Sequence, residues 1–209
     1  MPNVLDFVLH IDTHLQNIIW QEGAWSYAIF FGFIFAETGF VITPFLPGDS
    51  LIFATGALVA KGMPLGMPLI FGTFAVASIA GDSLNFEIGK RLGRGLFQKN
   101  IAFLTPKNLE KTEKFFEKHG AKTIVLARFI PMIRTFAPFV AGTGKMRYGQ
   151  FLRYNVVGGL LWVALFLFGG YFFGNLPFIK SHFIIVLVVI ILISLVPAVY
   201  EIVSARREE

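Results

Sequence analysis

Four ionisable side chains, Glu37, Asp49, Arg128 and Arg134, stand in stretches of sequence that are otherwise apolar. Even low values assign about 2.5–3.5 kcal/mol to a charge at the centre of a membrane helix, so four of them imply pairing or use. Arg128 and Arg134 flank Pro131 symmetrically in Arg128-Phe129-Ile130-Pro131-Met132-Ile133-Arg134. A guanidinium fork matches phosphate oxygens through paired hydrogen bonds, which makes Arg128, Arg134 and the adjoining Thr135 the candidate anion ligands. Glu37 and Asp49 suit a complementary role, since a desolvated carboxyl beside an arginine is poised between two protonation states and can act as a proton switch. The competing interpretation is a pair of static ion pairs that hold two segments together. Asp82 and Asn85, late in another apolar stretch, either line the same cavity or are simply solvated at a helix end.

The elements that must position these residues follow from hydropathy. The 209 residues are 55% hydrophobic with 25 Phe, and the mean hydropathy is +0.68. That exceeds what a soluble core requires, so the excess must face lipid. Uncharged runs over residues 62–81, 154–179 and 181–200 approach or exceed the ~20 residues needed to cross a ~30 Å hydrocarbon layer. Residues 25–60 are also apolar, but Pro44 and Pro47-Gly48 interrupt them. Proline removes a helical donor, and lipid cannot satisfy the freed carbonyl, so such a break survives only inside protein or beside a water-filled cavity. The spacing predicts a re-entrant hairpin over 25–60, then a span over 65–92. Residues 122–142, broken around Pro131 and Pro138, repeat the pattern, followed by spans over 154–174 and 183–203.

Two further segments are amphipathic. Over residues 1–22 the apolar side chains Val4, Val8, Ile11, Leu15 and Ile18 recur at helical spacing, which predicts an interfacial helix. His10 and His14 share its polar face with Asp6, a spacing open to metal binding but better read as a hydrated face because no further strong ligand is near. Thr105-Pro106 starts a helix over 105–120, with Thr at the cap and Pro in the first turn. Leu109, Phe115 and Phe116 on that helix could rest on the bilayer while its lysines meet head groups, or the charged face could be merely solvated.

Charge distribution sets the expected orientation. Residues 1–60 contain five acids and no Lys or Arg, whereas residues 90–122 carry nine basic residues against three acids. Lys and Arg concentrate in cytoplasmic loops, so 90–122, 145–153 and the C-terminal Arg206-Arg207 are expected inside, and nucleic acid is rejected as the reason for the net charge of +5. The first hairpin then enters from outside and the second from the cytoplasm. The expected fold is an all-α membrane protein of inverted repeats, each a re-entrant helical hairpin followed by a transmembrane helix, with interfacial helices and a C-terminal transmembrane helix added. In such folds the broken elements meet near the midplane and line the site.

The absence of cysteine excludes thiolate metal sites and Cys nucleophiles. His10, His14, His119 and His182 all fall at expected surfaces or segment ends, and no Ser-His constellation accompanies them. Neither enzymatic activity, nor a cofactor, nor a metal is expected.

Through Glu37-Thr38-Gly39, Pro44-Phe45-Leu46-Pro47-Gly48-Asp49, Gly81-Asp82-Ser83-Leu84-Asn85 and Ala127 to Gly142, the sequence resembles the DedA family of membrane proteins. The resemblance covers about residues 25–175 and shows no departure at the key charges. It implies opposed re-entrant hairpins in a bacterial cytoplasmic membrane and a role in moving undecaprenyl phosphate or phosphatidylethanolamine between leaflets, often dependent on the proton gradient. The family's acidic pair maps to Glu37 and Asp49, and its arginine pair to Arg128 and Arg134. The expected partners are therefore a membrane lipid and protons, and the sequence leaves homodimer formation open. Two rivals stand beside this reading: a proton-coupled carrier of a small solute, and an enzyme acting on lipid phosphates, against which the histidine placement argues.

Overall fold

The computed structural model describes residues 23–40, 47–93, 106–173 and 176. The expected interfacial helix over 1–22 with His10 and His14, the break residue Pro44, His182 and the expected span over 183–203 lie outside them. Among the described residues every regular element is helical. They are α1 (Trp25–Gly39), α2 (Gly48–Ala60), α3 (Met67–Leu92), α4 (Pro106–His119), α5 (Thr123–Ala127), α6 (Pro131–Val140) and α7 (Tyr148–Phe173). A 3-10 turn joins α4 to α5, and a π turn over Ala141–Lys145 follows α6.

α3 and α7 have 26 residues each, about 39 Å at 1.5 Å per residue, and both are apolar enough to cross a membrane. Their outer faces leave Leu69, Val76, Val157, Leu161, Leu165 and Phe172 exposed, a pattern suited to lipid and not to water. α2 differs: of its 13 residues, the eleven from Gly48 to Leu58 are buried on every side. An apolar helix of about 20 Å enclosed by others is a core element too short to span.

The limbs of the first broken segment part company. α1 packs along α3, while α2 packs along α7. In the second segment α6 lies against α3, and α5 against α7. Close crossings make this interleaving tight. At the α2–α7 crossing a Cβ on Gly56 would strike the Leu167 carbonyl, and one on Gly170 the Phe53 carbonyl. At the crossing of α3 with the end of α6 a Cβ on Gly89 would strike the Phe139 carbonyl, and one on Gly142 the Phe86 carbonyl. Backbones approach this closely only where small residues line both helices.

Two apolar clusters result. One joins Phe30, Ile34, Ile52, Ala57, Phe74 and Leu167, and the other joins Phe86, Phe116, Ile124, Val140 and Phe151. α3 runs from the first cluster to the second and α7 returns, so the two long helices are antiparallel. Between the clusters lies a polar layer that includes Asp82 and Asn85 of α3 and Asn155 of α7.

Two expectations change here. Pro138 does not break the second segment; it sits inside α6, where the carbonyl of Arg134 loses its helical partner but the helix continues. The interruption falls at Arg128 to Ile130, where Ile130 is extended and Pro131 opens α6 with its φ already helical. The apolar face of α4 meets protein through Phe116, which is buried in the second cluster with Leu109 against it, and α4 packs on α6. Its other face is solvated, and a hydrogen bond from exposed Lys114 holds the Glu110 carboxyl below its usual value.

Candidate functional site: a buried charge layer

Position 49 enters the layer through the first turn of α2. The cap residue Pro47 supplies no side-chain acceptor, and the Gly48 N–H donates instead to Glu37 Oε1 at 3.3 Å. A carboxylate from the end of α1 therefore caps α2, where unsatisfied N–H groups and the helix dipole favour negative charge. Glycine at 48 leaves the Glu37 carboxylate its place, which a Cβ there would take.

Arg134 reaches both acids of the first segment. Its Nη1 donates to Asp49 Oδ1 at 2.8 Å and its Nη2 to Glu37 Oε1. The Trp162 Nε1–H donates to the same Asp49 oxygen at 2.9 Å. Arg128 is held separately, its Nη2 donating to Asp82 Oδ2 and, at 2.6 Å, to Asn155 Oδ1. Asn155 is itself fixed by donation from Nδ2 to the Ile79 carbonyl at 3.0 Å. Asn85 ties the two broken segments together, its Nδ2 donating to the carbonyls of Thr135 at 2.9 Å and Thr38 at 3.3 Å.

Glu37, Asp49 and Arg134 thus meet, together with Asp82, Asn85, Arg128 and Thr135 in the same layer. The helix-end reading of Asp82 is overturned, since it is buried against Arg128. The acids do form ion pairs, but not one per arginine: both acids of the first segment converge on Arg134, and Asp82 serves Arg128. Pro131 and Pro47 stand at the starts of α6 and α2, where they end the breaks. Asn155 and Trp162 carry no charge and do not stand out in the sequence. The available signals were an amide inside a 26-residue apolar helix and a large aromatic just after Gly158-Gly159.

The layer holds three carboxyls against two guanidiniums. The side chains of Arg134 and Asp49 are each 11% exposed, whereas those of Arg128 and Glu37 are 2% and 1% exposed. An incoming anion would therefore meet Arg134 first. Among the described residues no cluster of His, Cys, Asp and Glu could hold a metal ion.

Long antiparallel apolar helices enclosing short broken ones, with a desolvated charge layer between two apolar clusters, define a helical integral membrane protein. The VTT domain family model matches residues 46–172. The chain is 48% identical over 206 residues to Protein DedA of Escherichia coli (strain K12), covering 98% of this chain and 94% of that one. It is 37% identical over 215 residues to an uncharacterized membrane protein of Mycobacterium tuberculosis (strain ATCC 25618 / H37Rv), covering 99% and 88% of the two chains. It is also 33% identical over 178 residues to Inner membrane protein YghB of Escherichia coli (strain K12), covering 85% and 78%. No solved structure matches the chain. The chain belongs to the DedA family of VTT-domain proteins, and relatives such as YghB are named as membrane proteins.

Proposed function

We propose that this protein translocates a lipid phosphate across the bacterial cytoplasmic membrane, with undecaprenyl phosphate the leading substrate and protons the coupling ion. The observation that carries the reading is Arg134: it is the more accessible guanidinium of a buried layer, and both arms of its fork are occupied by carboxylates. These carboxylates stand where phosphate oxygens would sit, so the head group enters by displacing one of them. An anion adds negative charge to a layer already rich in carboxyls, and proton uptake by Glu37 or Asp49 offsets that cost. The polyprenyl tail stays in lipid against the exposed faces of α3 and α7.

The interleaved packing supports an inverted-repeat design. α2 crosses α7 and α6 crosses α3 through matching glycine pairs, Gly56 with Gly170 and Gly142 with Gly89, each crossing using equivalent carbonyls one turn earlier. The shortness of α2 and α6 fits segments that enter the membrane without crossing it. In this arrangement alternating access is a rocking of one half against the other about the charge layer, with residues 90–122 and the C-terminus on the cytoplasmic side.

A leaflet-resolved flux assay in liposomes tests the reading, comparing undecaprenyl phosphate with phosphatidylethanolamine. Preference for the monoester, stimulated by an imposed pH gradient and made gradient-independent by Glu37→Gln, is expected. Flux of phosphatidylethanolamine alone would reassign the substrate to a phospholipid. Competition by soluble anions with no lipid flux would favour a small-solute carrier.

A further inference from the structure

Trp162 belongs to none of the three ion pairs of the layer, yet it lies against both arginines and Asp49. It is fully buried, and its Nε1–H shares Asp49 Oδ1 with the guanidinium of Arg134. Its ring centroid lies 5.4 Å from Cζ of Arg134 and 5.9 Å from Cζ of Arg128. One turn earlier on α7, Gly158 leaves room for Arg128, whose Cδ would stand 3.1 Å from a Cβ placed there. α7 is thus shaped so that one indole serves two cations and one carboxylate.

We infer that Trp162 is the positioning residue of the anion site, holding Asp49 by hydrogen bond and both guanidiniums by its π face, so that the site keeps its geometry while the head group replaces a carboxylate on Arg134. This rests on the lipid-phosphate reading above. Two like charges brought near each other repel, and a ring face attractive to each offsets part of that repulsion in a desolvated setting. The N–H leaves Asp49 a partner when Arg134 turns to the substrate, which spares a buried acceptor from being stranded. A residue that merely filled the first apolar cluster would need neither the shared hydrogen bond nor two cations over its ring.

The protein has three tryptophans, so replacing Trp20 and Trp25 by Phe leaves Trp162 as the sole emitter. In phosphatidylcholine vesicles its emission is expected to shift on Arg134→Ala and on Asp49→Asn, and in the unsubstituted site on adding a polyprenyl phosphate. Emission indifferent to both substitutions overturns the positioning role whatever the cargo. In flux assays at matched folded protein, Trp162→Phe keeps a ring but loses the N–H, and the half-saturating lipid concentration should rise about tenfold. Trp162→Leu loses the ring as well, and a rise of about a hundredfold is expected. If Trp162→Leu fails to fold, the Phe variant carries the comparison. Unchanged half-saturation in the folded variants overturns the inference while Arg134 keeps its role. Absence of polyprenyl phosphate flux in the unsubstituted protein defeats the translocation reading instead, and the emission shifts alone then decide for or against Trp162.

Discussion

Arg128 and Arg134 stand six positions apart on either side of one proline, yet their surroundings differ in kind. Arg128 is pinned by Asp82 and by an asparagine that is itself pinned, and its side chain is almost sealed. Arg134 bridges two carboxylates contributed by another broken segment and keeps a window to the outside. On the proposed mechanism Arg128, with fixed partners and little access, is a strut, and Arg134, whose carboxylate partners give way to the head group, is the ligand site. Identical residue types in one motif can therefore divide these roles.

Substitutions can break the comparison. The largest effect is expected from Arg134→Ala, which should abolish lipid flux while folded protein persists in the membrane fraction; Arg134→Lys should rescue poorly because it lacks the planar fork. Full flux in the alanine variant would remove Arg134 from the site. Arg128→Ala leaves Asp82 buried without its cation, so a stability loss of about 3–5 kcal/mol is expected, read as a lower Tm in detergent. An unchanged Tm would remove Arg128 as a strut. Gly48→Ala drives a Cβ into the Glu37 carboxylate, and overpacking of about 1–3 kcal/mol should appear as a Tm decrease together with weakened flux, since Glu37 must move off Arg134. Asn85→Ala unties the two broken segments at the Thr38 and Thr135 carbonyls and should lower stability by about 1–2 kcal/mol in the same melt. At the far end, Glu110→Ala on the solvated face of α4 should change neither Tm nor flux, because its pairing with Lys114 is surface exposed.

Much of the architecture was readable from hydropathy and punctuation. The two long spans appear where uncharged runs of sufficient length occur, and Pro47 and Pro131 mark helix starts because proline is tolerated there and nowhere deeper without loss of a hydrogen bond. Pro138 misled because a buried helix surrounded by others can carry one unmade bond that an isolated segment could not. The apolar stripe of α4 announced a partner without naming it: a hydrophobic face is satisfied equally by lipid or by protein, and here α6 supplies it.

The chain's own order of residues determined that four charges would be placed where water is scarce, and that short helices interrupted by proline would carry them. Burial cost alone leads to that conclusion, since it depends on residue type and neighbours in sequence. Which acid meets which arginine was decided only in three dimensions, because Glu37 and Arg134 are separated by most of a fold and Asp82 lies on a third element. The same holds for Trp162 and Asn155, which are inconspicuous among the residues of an apolar helix. They matter because glycine-lined crossings bring α7 close enough for an indole and an amide to satisfy groups that other segments deliver.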